Sequence, residues 1–343
     1  MPASPIPPVV LSLRGLSPAA VSAAIAVEEF MIPSGDPGIE LYLRNKRGAD
    51  RAGSGADKIL LYVHGTSQAA ETTFDLRLDG VSWMDYLAHH GWDVWLVDLR
   101  GYGRSSRPPE MSAPPAAHPP IVTTDVALHD FGTAVDFICR RRGAAAISIM
   151  GWSWGTVIVG AYAARNRAQV TRLVLNAPVW LRPARPGAPP LGAYQSWTVE
   201  QARANLQTGA PDAARAGLMP DTWFAAWKEA ALATDPEGAR QSPPVVRSPN
   251  GAPADSRAYW QAGKPYYDPG LITAPTLIVH GEWDGLLPLS MAVAVFGELA
   301  RAPTRRLVEI GAGTHLLMLE RNRRQLFQEV QLFLDEPLPD GAA

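Results

Sequence analysis

Six runs between residues 58 and 311 are apolar nearly from end to end, and helical patterns fall between most of them. They read "KILLYVHG" (58–65), "WDVWLVDLRG" (92–101), "AAISIMG" (145–151), "TRLVLNAP" (171–178), "PTLIVHGEWD" (275–284) and "RRLVEIG" (305–311). A strand with one wet face alternates polar and apolar residues; a strand covered on both faces does not. "IELYL" (39–43) adds a further strand. In "TTDVALHDFGTAVDFICRRRG", Leu128, Phe131, Val135 and Ile138 recur at steps of three and four, which marks one buried stripe of a helix. "GTVIVGAYAARN" continues directly from the "AAISIMG" strand, and "NRRQLFQEVQLFLDE" puts Leu326, Val330, Phe333 and Leu334 on one face. This alternation predicts an α/β fold, a mostly parallel sheet with helices on both faces. The chain has 343 residues and 47% hydrophobic content, enough for one large core.

The alternation stops after residue 178 and resumes near 272. The reading that follows is an N-terminal extension (1–29), a core in two pieces (30–178 and 270–336) and an inserted helical cap subdomain (179–269), placed after the sixth strand. The insertion is rich in Pro, Ala and Trp and carries Trp180, Trp197, Trp223, Trp227 and Trp260. These tryptophans either form a small core of their own or wall a pocket. Trp180 and Trp227 are the cap candidates for substrate contact.

Charge and cysteine content exclude several classes. The formal net charge is −2, and the basic residues form no nucleic-acid-binding cluster. The single cysteine, Cys139, has no internal disulfide partner and reads as a structural residue on a helix. No run approaches the roughly 18 apolar residues that a membrane span needs. The N-terminus lacks a positively charged start, and Arg14 and Pro18 interrupt its apolar stretch, so it does not read as a secretion signal. A cytoplasmic protein is expected, with no membrane or nucleic-acid partner and loose ends at both termini. No metal or cofactor is expected either, since no His/Cys/Asp set has ligand spacing and "RGYGRS" lacks a P-loop lysine.

"GWSWG" (151–155) sits where a strand gives way to a helix. A sharp turn there strains the serine backbone and leaves no room for neighbouring side chains, which Gly151 and Gly155 accommodate. Ser153 would then project over the sheet edge at a helix N-terminus, where negative charge is favoured. A serine hydroxyl needs a base to become nucleophilic. Of the seven histidines, His315 is the candidate, in a glycine-rich loop ("GAGTH") after the last strand. The base needs an orienting carboxylate. Asp284, in the loop of "VHGEWDGLLP", completes the order Ser…Asp…His, with Glu282 its neighbouring rival. Asn176, after the preceding strand, cannot carry the charge. Asp98 reads as a loop-building residue paired with Arg100. The oxyanion donors would be the backbone N–H of Trp154 and that of Thr66, with Ser67 as the alternative. Trp152 and Trp154 flank the serine and are either packing groups or pocket walls.

Five pieces, "VHGTS", "VDLRGYGRSSRP", "GWSWG", "GEWDGLLP" and "GAGTH", stand in the order of the α/β-hydrolase fold superfamily, which the chain resembles over roughly residues 30–336. That resemblance implies an eight-stranded sheet, a cap after its sixth strand and a triad of Ser153, Asp284 and His315. It further resembles the serine esterase and proline iminopeptidase branch. Serine at the elbow sets it apart from the dehalogenases and epoxide hydrolases of the superfamily, which use aspartate there. The expected activity is hydrolysis of a carboxylic ester with an apolar or aromatic group. Two alternatives stand beside it. An aminopeptidase or amidase would need a cap carboxylate for the substrate amine, for which Glu200, Asp221 and Glu229 are candidates. "HGTSQ" departs from the His-Gly-Gly-Pro-Gly of the iminopeptidases. The other alternative is a non-catalytic binding protein on the same fold.

Overall fold

The computed structural model describes residues 24–49, 57–184 and 187–338. The sequence readings of the first 23 residues and of the end of the tail lie outside the described residues. The strands are β1 (Ile25–Pro33), β2 (Glu40–Gly48), β3 (Ile59–Val63), β4 (Asp93–Val97), β5 (Ile147–Trp152), β6 (Val170–Asn176), β7 (Tyr194–Trp197), β8 (Val246–Pro249), β9 (Thr276–Gly281) and β10 (Arg305–Ile310). Eight of them form one sheet in the order β1-β2-β4-β3-β5-β6-β9-β10. β2 is antiparallel to both its neighbours, and every other pair is parallel. The α/β architecture is therefore the expected one.

Every residue of β3, β4, β5 and β9 is buried, which is why those segments read as unbroken apolar runs. β10 departs from the expectation. In "RRLVEI" only Ile310 is fully buried, because β10 is an edge strand. Its charged residues keep that edge from pairing with another. β1 is the opposite edge, and it corrects the domain boundary: the sheet starts at Ile25, inside the segment read as an extension. Exposed and half-buried positions alternate along most of it, so it lacks the apolar run that marks a central strand.

Helices Thr124–Arg142, Trp154–Arg165 and Leu289–Glu298 pack on one side of the sheet, and Trp83–His89 and Arg323–Asp335 on the other. Phe131, Val135 and Ile138 are buried as the stripe requires, while Leu128 is half-buried. Gly143 ends the first of these helices in the left-handed conformation (φ 62°), and its N–H closes on Cys139 O. Cys139 itself is half-buried.

The segment between β6 and β9 is not purely helical. β7 and β8 pair antiparallel and sit among helices Val199–Leu206, Asp212–Leu218, Asp221–Ala233 and Gly251–Ala258. Four-residue strands leave too short a pattern to read. The buried Arg247–Asp235 ion pair (2.7 Å) fastens β8 to the turn before it. The insertion docks on the core partly through Trp223. Its indole donates to Asp79 (3.0 Å), and the Arg323 guanidinium lies 4.0 Å from its ring centre.

Candidate active site

Ser153 sits between β5 and the helix Trp154–Arg165 with φ 55° and ψ −122°. A non-glycine residue held in this region costs on the order of 1–3 kcal/mol and persists only where its surroundings enforce it. They do so here. A Cβ on Gly151 would meet Gly155 O at 2.3 Å, and a Cβ on Gly155 would meet Val63 O and His64 O at 2.7 Å. Both glycines are required by close backbone approach, and the Ser153 N–H is tied to Asn176 O (2.9 Å). Trp154 opens the helix, so its N–H is among the donors that a helix leaves without an internal partner.

His315 follows β10, and Asp284 follows β9. His315 Nδ1 lies 2.6 Å from Asp284 Oδ2, and both residues are buried. The other carboxylate oxygen of Asp284 accepts the N–H groups of Leu286 (3.1 Å) and Leu287 (3.0 Å). With the proton on Nδ1, Nε2 is left with a lone pair. Trp152 holds the same loop from below: its indole N–H donates to His315 O (3.1 Å), and the two rings lie 5.1 Å apart. Ser153 and His315 line one cavity of about 280 Å³, together with Thr66, Ser67, Trp152 and Trp154. No hydrogen bond joins the hydroxyl to the imidazole among the described residues. Such contacts are commonly loose in an unliganded site and tighten around substrate.

The loop that carries Thr66 is built against the elbow. A Cβ on Gly65 would come within 2.9 Å of Ser153 Cβ. His64 fixes this loop: Nδ1 donates to Gly65 O (2.7 Å), and Nε2 accepts from Leu99 N–H (3.2 Å). Burial pushes its pKa down, so it stays neutral and serves as a strut. Glu282, the rival carboxylate, accepts instead from Ala312 N–H (2.8 Å). Asp98 does build a loop, but not with Arg100. It accepts from the N–H groups of Ala70 and Arg104, while Arg100 pairs with Asp130.

Two cap assignments require correction. Trp227 is fully buried beside Phe224, and Trp180 packs edge-on against Tyr267, so neither reaches the cavity. Trp197 and Trp260 line it instead, with Arg182, Gln195 and Asn205 as polar members of the wall. The carboxylates considered for binding an amine point elsewhere: Glu200, Asp221 and Glu229 are all exposed, and Glu200 pairs with Lys228. Sequence reasoning also passed over Glu320. It is fully buried five residues after His315 and accepts from both the N–H (2.9 Å) and the hydroxyl (2.6 Å) of Thr314. An acidic residue inside the apolar run "LLMLE" was the available signal. Among the described residues no group of three or more His, Cys, Asp or Glu could hold a metal ion, and no helix is long and apolar enough to cross a membrane.

A strained serine elbow and a His–Asp pair stand at the carboxyl ends of a mostly parallel sheet, with Ser153 and His315 on one cavity wall. The chain belongs to the alpha/beta hydrolase fold family, whose model matches residues 58–322. Solved structures share the fold at low identity. A thermophilic esterase from Thermogutta terrifontis is 18% identical, with 90% of this chain and 98% of that one covered and a TM-score of 0.58. A bromoperoxidase from Bacillus anthracis is 17% identical (90% and 100% covered, TM-score 0.61). A serine hydrolase involved in carbazole degradation is 18% identical (90% and 99% covered, TM-score 0.60). No curated protein matches the chain by sequence.

Proposed function

We propose that the protein is a serine hydrolase that cleaves carboxylic esters through an acyl-enzyme. Ser153 Oγ attacks the ester carbonyl while His315 Nε2 takes its proton. The oxyanion forms against the backbone N–H groups of Trp154 and Thr66. His315, now an imidazolium held by Asp284, gives the proton to the departing alkoxide. Water then enters, loses a proton to His315 and attacks the acyl carbon. Collapse of the second tetrahedral species releases the carboxylic acid and returns the proton to Ser153. The observation that carries this reading is the 2.6 Å His315–Asp284 contact beside a positive-φ serine on the same cavity wall.

The wall also supports an apolar or aromatic substrate group. Trp197 and Trp260 supply apolar surface to the wall, and Arg182, Gln195 and Asn205 supply polar groups to orient the rest of the substrate. The exposed positions of Glu200, Asp221 and Glu229 favour an ester over a substrate with a free amine. A fluorophosphonate probe with 4-nitrophenyl esters tests the assignment. Labelling at Ser153 and ester turnover, both lost in Ser153→Ala, are expected. A wild-type protein that takes no label and turns over no ester would overturn it. So would faster turnover of a proline arylamide than of the esters.

A further inference from the structure

One short segment of the cap reaches both loops that carry the partners of Ser153. Helix Val199–Leu206 ends at Gln207, which is almost fully buried although it belongs to the insertion. Its side-chain N–H donates to Glu320 Oε1 (3.2 Å), the oxygen that also accepts from the Thr314 hydroxyl. Thr314 Oγ1 in turn accepts from Leu316 N–H (3.2 Å), so this network brackets His315 on both sides. One residue further on, Thr208 O accepts from Gly285 N–H (2.8 Å), beside Asp284. The approach is tight, since a Cβ on Gly209 would lie 2.4 Å from Trp283 O. Just before this segment, Asn205 and Leu206 line the cavity.

We infer that Gln207 and Glu320 are positioning residues for the His315–Asp284 pair, and that the cap segment 205–209 passes the placement of a cavity occupant to that pair. The inference rests on the hydrolase reading above. Glu320 accepts three hydrogen bonds and donates none, so the carboxylate form suits the site even though burial pushes its pKa up. Glu320→Gln places an amide N–H against at least one of these donors. Gln207→Met keeps the volume and removes the cap's donor to Glu320, together with the acceptor that Gln207 Oε1 offers to Arg203 Nε (3.3 Å) within the cap. Neither residue lines the cavity, so a fault here should alter turnover more than substrate affinity.

The experiment measures kcat, KM, fluorophosphonate labelling rate and Tm for Gln207→Met, Glu320→Gln, the double variant and the control Lys228→Met, whose side chain pairs with Glu200 on the exposed cap surface. Gln207→Met should lower kcat and labelling about tenfold with KM within about twofold, as expected from loss of the hydrogen bond to the Glu320 carboxylate. The double variant should be no slower than Glu320→Gln alone, because the two residues act as one unit. Lys228→Met should match wild type. Unchanged kcat in Gln207→Met, or a rise in KM alone, would overturn the inference while leaving the hydrolase reading intact. Wild-type protein without label or turnover would sink both. If Glu320→Gln does not fold, the Gln207→Met result still decides.

Discussion

Asp284→Asn isolates the orienting role proposed for the carboxylate beside His315, and the structure indicates how the substitution goes wrong. The two oxygens of Asp284 have different neighbours. One accepts the N–H groups of Leu286 and Leu287, and the other faces His315 Nδ1 at 2.6 Å. An asparagine amide nitrogen on the first side would confront two buried donors, and leaving such donors unmet costs about 1–3 kcal/mol each. The carboxamide oxygen therefore stays with the two backbone amides, and the NH2 group turns to His315. Nδ1 must then accept, and the proton moves to Nε2. That nitrogen can no longer take the Ser153 proton. A wrong tautomer in this arrangement lowers kcat about 10⁴-fold, equivalent to about 5 kcal/mol in the barrier. The assay is steady-state 4-nitrophenyl ester hydrolysis with Tm recorded in parallel. Because the hydrogen-bond count around residue 284 is preserved, Tm should stay near that of wild type. A variant that retains kcat within about tenfold, with an unchanged Tm, would refute the tautomer argument and the role given to Asp284.

Two further substitutions separate wall from core, and one group sets an acid limit. Trp260→Ala should raise KM for aryl esters severalfold, since Trp260 lines the cavity; an unaltered KM would remove it from the binding wall. Trp227→Ala should leave KM unchanged and destabilise the fold by about 3–5 kcal/mol in denaturant titrations, because this indole is fully buried away from the cavity. Burial raises the pKa of Asp85, but hydrogen bonds from Arg77 and Lys46 outweigh it and bring the value down to about 2. A lowered carboxylate stabilises the fold above its ordinary pKa of 3.8, and that contribution is lost as pH falls toward 2. It amounts to about 2 kcal/mol. The Tm gap between wild type and Asp85→Asn should therefore close between about pH 4 and pH 2; a gap constant over that range would contradict the assignment.

Most of the frame was legible without coordinates, and the reason is locality. β3, β4, β5 and β9 are covered on both faces, so their sequences carry unbroken apolar runs that need no partner to be recognised. The edge strands β1 and β10 face water, and there the boundary and the burial pattern were misread. The elbow was equally local. Backbone atoms of residues 151–155 come so near one another and the neighbouring strand that only glycine fits on either side of Ser153, and that demand is written in "GWSWG".

The tertiary structure alone decided what surrounds the elbow. Five tryptophans of the insertion are chemically alike, and nothing local marks Trp197 and Trp260 as facing the cavity while Trp180 and Trp227 pack away from it. Their orientation follows from a two-stranded pairing between residues 194–197 and 246–249 and from docking on the core, both set by contacts distant in the chain. Gln207 and Glu320 are likewise separated by 113 residues. A buried carboxylate is tolerated only where donors converge on it, and those donors come from a cap loop and a core loop that folding brings together.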